Sequence, residues 1–431
     1  FTTVRVAYSR PNFPINDNVI RNLFERNNGR RRTLGEVMQA TKNTLSSVYK
    51  LGFCLIGDPA VKMAYPEFGM KVTTVNGQSV DGNSISFKAL EKITVEGEVL
   101  DASGQLVTDF TGIVNPTVKD SKVTVTCLKN SNKDDSPAFT FTDYPNTIFI
   151  GNDSVRNGKF SFTFTVPKDI SYSNLQGKMN LYAVDTESGN EAQGNFDNFI
   201  VGGTSDTAET DTIGPEIRAL YLNDTTFVDG GQVNTTPYFV AELWDKSGVN
   251  ITGSSVGHDM MLVIDESTVL SYNLNSYYEL LLGEDGTGIV KFPIPALEPG
   301  KHTAEFWVWD ILNNSTVRTF TFEVVEGLKP FLFDVIATPG IAREQVTFHL
   351  MHNRPESRMR VGIMVYDLAG RQLWKHEESG TSGLFENYTV SWDLTSGGAR
   401  MRPGVYIYRA AISTDNSKDA TKARKFIILG E

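Results

Sequence analysis

The chain has 431 residues, 40% of them hydrophobic, and carries 40 Lys/Arg against 51 Asp/Glu for a net charge of −11. At ~100–150 residues per domain that length suggests three or four cores, and no run approaches the ~18–20 apolar residues a membrane helix needs. The acidity is uneven: residues 1–70 and 329–431 are slightly basic and the middle is strongly acidic, which argues against nucleic acid, where a basic stripe is required.

Residues 1–70 read as strand, helix, helix, strand. Val4, Val6 and Tyr8 alternate, and Ser9 to Pro14 contains two prolines that break the strand. Asn16 is placed to cap a helix with an apolar stripe of Val19, Ile20, Leu23 and Phe24. A second helix opens at Thr33, where Thr33 and Glu36 have capping-box spacing; Leu34, Val37, Met38, Leu45 and Val48 form its expected buried face. Gly52 to Ile56 is a short strand ended by Gly57-Asp58-Pro59. Two strands and two helices do not close an α/β domain, so the remaining strands are expected before Phe1. No signal peptide or initial Met opens the chain.

From residue 71 onward short strands recur between turn signals, the pattern of β-sandwiches. In 71–204 they fall at Ile93–Leu100, Val123–Leu128, Phe139–Thr142, Lys159–Val166 and Lys178–Ala183. Ser205 to Thr212 is acidic and poor in apolar residues, and reads as a linker. Residues 213–328 hold strands at Pro215–Leu222, Tyr238–Trp244, Asp259–Asp265, Gly288–Pro293, His302–Asp310 and Thr316–Val325. Residues 329–431 hold them at Gln345–His352, Arg360–Leu368, Tyr388–Trp392, Gly404–Ser413 and Lys425–Leu429. Gly370 is expected in the left-handed conformation of a tight turn.

Chemistry is sparse. A cysteine nucleophile needs a base, usually His, and the five histidines (258, 302, 349, 352 and 376) all lie beyond residue 257. Cys54 and Cys127 therefore read as separate, buried core thiols rather than as a nucleophile or a disulfide. His258-Asp259 reads as a strand-entry turn, and His349 and His352 fall on opposite faces of one strand. Any metal is left unknown. Calcium, as a structural ion, is the one cofactor for which candidates stand out: Asp185 to Glu191, Asp197-Asn198, Asp206 to Asp211 and Asp224 to Asp229, each of which reads first as a solvated loop without EF-hand spacing. Arg30-Arg31-Arg32 reads as a solvated inter-helix turn rather than an anion-binding patch.

Two resemblances organise the chain. Val390-Ser391-Trp392-Asp393, the glycine turn at Gly397-Gly398, and Pro403-Gly404 opening a strand that alternates Val/Ile with Tyr resemble the C-terminal sorting domain of type IX secretion in Bacteroidetes. Residues 1–70 resemble the C-terminal end of a gingipain-like, caspase-like cysteine peptidase domain of family C25. The residues that carry it are Thr3 to Ser9, Pro11-Asn12, Asn22-Leu23-Phe24, Leu34-Gly35-Glu36-Val37 and Phe53-Cys54-Leu55-Ile56-Gly57-Asp58-Pro59-Ala60. End to end, the chain is similar to the sortase branch of that family. This second likeness rests on Phe139 to Asp143, Val166 to Tyr172, Phe196 to Phe199, Val201-Gly202-Gly203, Gly214 to Ile217, Gly257-His258-Asp259, Leu297 to His302, Trp309-Asp310, His352 to Pro355 and Tyr366 to Arg371.

The resemblance implies a mainly β chain, the partial caspase-like α/β end followed by three β-sandwich (Ig-like) modules. It implies a cell-surface cysteine endopeptidase and transpeptidase, peripheral to the outer membrane, whose catalytic His and Cys lie upstream of this chain. Such an enzyme cleaves the sorting domains of exported cargo and joins the cargo to anionic lipopolysaccharide. It docks on an outer-membrane β-barrel of the PorV type through its own C-terminal domain. Two other readings stay open: a gingipain-like surface protease whose sorting domain is removed, and an adhesin of β modules without enzyme activity.

Overall fold

The computed structural model describes residues 1–4, 9–27, 30–129, 137–206, 211–253, 257–281, 286–414 and 417–429. At the N-terminal end two helices, α1 (Ser9–Phe24) and α2 (Leu34–Thr44), pack on each other around Ile15, Val19 and Val37. Strands Thr2–Thr3 and Phe53–Cys54 pair antiparallel beside them; Val6 and Tyr8, expected in the first strand, lie outside the described residues.

α1 starts at Ser9 and contains Pro14, so Asn16 lies inside the helix and is not its cap. The prolines do not bar this start, because the first four amides of a helix have no carbonyl to bond; Pro14, slightly further in, forgoes a single bond. The capping box of α2 forms as the spacing requires: Glu36 N donates to Thr33 Oγ1 (3.3 Å) and Thr33 N to Glu36 Oε2 (2.9 Å). Its buried face is Val37, Met38 and Thr41. Val48 falls in a 3₁₀ turn (Val48–Gly52) and is 70% exposed, so it does not join that face.

The start of α2 and the Gly-Asp-Pro turn are one construction. Gly35 N donates to Pro59 O (2.9 Å) and Leu34 N to Val61 O (2.8 Å). A Cβ on Gly35 would lie 2.9 Å from Pro59 Cβ and 3.1 Å from Pro59 O. Asp58 Oδ1 holds the turn by accepting from Ala60 N.

Three β modules follow, each around its own core. In the first, a sheet runs from Gly112–Lys119 through Asp153–Arg156, Lys159–Thr165, Lys92–Leu100, Phe68–Val75 and Glu191–Phe196 to Lys178–Asp185. It then closes on itself, because Lys178–Asp185 also pairs with Gly112–Lys119. A three-stranded sheet (Leu175–Gln176, Phe199–Thr204, Ile85–Ala89) completes the enclosure of a Phe-rich core, Phe87, Phe160, Phe162, Phe164 and Phe199 among it.

The second module packs a four-stranded sheet (Glu216–Leu222, Tyr238–Trp244, Thr287–Pro293, Tyr278–Leu280) on a five-stranded one centred on Gly300–Trp309 and Ser315–Val324. The third packs Leu332–Thr338, Val346–His352 and Tyr388–Trp392 on a sheet that includes Met359–Tyr366, Gln372–Gly380, Gly404–Ser413 and Ala420–Ile428. Gly370 has φ +83° and closes the turn between two of its strands. The fold is mainly β, as the short alternating segments indicate.

The Gly35 contact yields a stability test. Gly35→Ala is expected to lower the unfolding free energy by about 1–3 kcal/mol, because Pro59 backbone must move to admit a methyl group. An unchanged denaturation midpoint would show that the turn yields freely.

Candidate functional site

The third module absorbs the sorting-domain signature into its core. Trp392 is buried, stacks on Trp374 at 4.5 Å and donates from Nε1 to Thr395 O (2.8 Å). Asp393 Oδ1 accepts from Thr395 N and Oγ1, and Leu394, Gly397 and Gly398 all have positive φ. Tyr408 is buried and donates to Val335 O (3.0 Å), tying the two sheets together. These residues shape a module; they do not converge on a catalytic centre.

Both cysteines are free. Cys54 is half-buried and Cys127 is exposed, on a two-stranded ribbon (Val123–Thr126 with Thr140–Asp143) that stands apart from the main sheet. Cys127 is therefore not the core thiol that its Val/Thr surroundings suggest. Among the described residues no second layer covers the apolar face of this ribbon, and Phe141 is exposed as well. Arg30, Arg31 and Arg32 are each paired, to Glu36 (2.5 Å), Glu67 (2.6 Å) and Glu25 (2.8 Å).

The calcium candidates use their oxygens within the chain. Asp185 accepts from Glu187 N, Ser188 N and Thr111 N, and these amides hold its carboxyl down at about 2. Asp224 and Asp229 cap turns against Thr226 and Thr321. Asp197 lends its carbonyl to Gln176. Within Asp206 to Asp211, residues 207–210 lie outside the described residues.

Asp211 itself does something else. Its carboxylate meets those of Asp245 and Asp310, one oxygen from each lying within 4.8 Å of the others. Asp245 follows the strand Tyr238–Trp244 and Asp310 the strand Gly300–Trp309, so each comes directly after a strand-ending Trp. Asp245 Oδ1 accepts from Ser247 N and Gly248 N; Asp310 Oδ1 accepts from Leu312 N and Asn314 N. Asp245 and Asp310 are buried. Burial pushes the Asp245 carboxyl up to about 6, aided by the charges of Asp310 and Asp211, and also raises that of Asp310. Three carboxylates at this spacing are suited to a hard divalent cation or to holding a proton. The repeated Trp-Asp pairs are the sequence signal for two of them; Asp211 ends the acidic segment Asp206 to Asp211 that stood among the calcium candidates.

His258 does not join a metal cluster. Its Nδ1 lies 2.6 Å from Asp169 Oδ2, and its ring packs on Trp309 at 4.5 Å. His302 bridges Asp265 and Glu298 O. His352 and Ser382 stand 2.8 Å apart, the spacing of a base and a nucleophile. The direction is wrong for that role: His352 Nδ1 accepts from Arg354 N, so Nε2 carries the proton and donates to Ser382 Oγ. Burial and the Arg354 charge lower His352 to about 4, which keeps it neutral.

Residues 1–64 match the model of peptidase family C25. Among curated proteins nothing matches the chain. Among solved structures, the dimeric latent PorU from Porphyromonas gingivalis is 37% identical, the match covering 95% of this chain and 39% of that one at a TM-score of 0.41. The chain thus spans well under half the length of that relative. Two other matches are more distant in sequence. A tetra-tandem repeat from the extending region of a large adhesion protein is 14% identical, covering 85% of this chain and 74% of that one at TM-score 0.18. The Bacteroides ovatus mixed-linkage glucan protein SGBP-B, solved with a heptasaccharide, is 9% identical, covering 84% and 71% at TM-score 0.24.

The acidic trio predicts a pH signature. A carboxyl raised to about 6 in the folded state adds stability below its ordinary 3.8, and that stability is lost as pH rises through 6. In protein stripped of divalent ions, Asp245→Asn is expected to raise the melting temperature by about 2–6 °C near pH 7.5. The gain should shrink as pH falls and approach zero below 3.8, where the wild-type carboxyl is protonated in the folded and unfolded chain alike. A lower melting temperature at the higher pH would contradict the account.

Proposed function

This chain is a PorU-like protein of peptidase family C25, and on that premise we propose that it is the C-terminal part of a type IX secretion sortase. In this reading the whole protein sits at the cell surface as a cysteine endopeptidase and transpeptidase. It removes the C-terminal sorting domains of exported cargo and joins the cargo to anionic lipopolysaccharide. The observation that carries the reading is the 37% identity maintained over 95% of this chain.

The residues of this chain supply structure to that reaction rather than the reacting groups. Cys54 has no imidazole in the first 257 residues to activate it. The apolar side chains Phe13, Ile20, Val48, Leu51 and Ile56 are exposed on residues 1–64, and they supply the surface on which the rest of a peptidase body would seat. The β modules carry that body, and the third docks on an outer-membrane β-barrel of the PorV type.

The junction of the second and third modules supports a docking domain that is kept. Leu384 of the third module packs into an apolar cluster with Tyr221, Val240 and Ile289 of the second. Arg354 is 1% exposed and donates from Nη2 to Leu328 O (3.0 Å), in the connection between the modules. Val325 N donates to Val233 O (2.9 Å) at the start of that connection. A removable tag needs an exposed, mobile connection; this one is hydrogen-bonded on both sides.

The full-length protein tests the reading. It is expected to cleave a cargo sorting domain, to lose that activity on thiol alkylation, and to keep it within about twofold in the Cys54→Ser variant. Absence of thiol-dependent cleavage, or its loss in Cys54→Ser, would overturn the assignment.

A further inference from the structure

The first and second modules meet at a carboxylate. We infer that Asp169 is a latch that holds the two modules as one rigid body. It is presented from residues 166–172, a segment anchored firmly in the first module. Val166 and Ile170 are buried in that module's core. Asp120, fully buried, accepts from Ser171 N (2.8 Å) and Ser171 Oγ (2.7 Å) through Oδ2. Asp169, held between these anchors, points outward into the second module.

There it meets donors from three separate loops. Asn313 Nδ2 donates to Oδ1 at 2.9 Å, His258 Nδ1 lies 2.6 Å from Oδ2, and Asn250 Nδ2 approaches Oδ2 at 3.4 Å. Each donor is held in turn. Asn250 is fully buried and accepts from Thr252 N and Oγ1. His258 packs on Trp309. Asn313 sits at φ +73° in a turn whose neighbours Leu312 and Asn314 are fixed by Asp310. Lys168 N also donates to Ile311 O (2.8 Å).

Hydrogen bonds to an ionised carboxylate are about twice as strong as neutral ones. Asp169 is only 10% exposed at its side chain, so water competes little. A second contact keeps the modules from rotating about this point: Asn152 Nδ2 donates to Leu280 O (2.5 Å), and Ile150 packs on the second module's core. Between the two contacts lies a cleft of about 730 Å³ lined by Phe149, Phe164, Trp244 and Asp245. Releasing the latch lets the modules swing about the remaining contact and opens this cleft.

The test is a distance measurement in the full-length protein, with every cysteine, Cys54 and Cys127 included, replaced by Ser and nitroxides attached at Ser161→Cys and Thr319→Cys, both exposed. Pulsed electron resonance is expected to give one narrow inter-module distance. Asp169→Ala should broaden it at least about twofold, and adding Asn313→Ala should broaden it no further, as for partners in one contact. Should Asp169→Ala fail to fold, Asn313→Ala and His258→Gln probe the same contact from the other side. A distribution that keeps its wild-type width in the folded variants would overturn the latch.

Discussion

A string of β modules is only as stiff as its joints, and in this chain each joint is closed by a charged side chain whose partners lie across it. Glu67, where the helical end meets the first module, accepts from Arg26 and Arg31. Asp169 joins the first module to the second, and Arg354 ties the third to the connection that leads into it. Glu67 stays half exposed, but Asp169 and Arg354 are largely buried, and a charge taken out of water must find its partners or leave the structure strained. Such groups therefore accept one arrangement of the modules and reject others, whereas apolar contact alone tolerates sliding.

This constraint gives the C-terminal module its meaning. Its Trp-Asp and Pro-Gly strand motifs build a core and a tight turn, and nothing in that core separates a tag from a permanent part. The difference lies in the junction, where Leu384 and Arg354 fasten the module to its neighbour. The acidic middle of the chain reads the same way: carboxylates such as Asp185, Asp224 and Asp229 hold the backbone by accepting from amides, and Asp211, Asp245 and Asp310 do so too while also gathering within reach of one another's charge.

Local signals were legible in the sequence. The Thr33–Glu36 box and the strands Tyr238–Trp244, Tyr388–Trp392 and Gly404–Ser413 follow from spacing and alternation over a few residues. Gly112–Lys119 was hidden because Pro116 sits in its middle, although the strand pairs on both sides. Ile85–Ala89 is too short to announce itself, and it is held by parallel pairing with Phe199–Thr204 far along the chain. The roles of Asp169 and Arg354 and the convergence of the acidic trio were illegible for the same reason. Each is defined by partners from distant loops, and no local pattern marks an aspartate as a joint rather than a turn. The exposure of Cys127 was missed because alternation reveals a strand but not whether a second layer covers it.

The claim that the modules form one fastened body, C-terminal module included, is tested most directly by the intact mass of the mature protein taken from the surface of native cells. The account predicts a chain that retains the whole third module, through residue 429 and beyond. A mature chain ending near residue ~330, at the connection between the second and third modules, would contradict it and would mark that module as a removable tag.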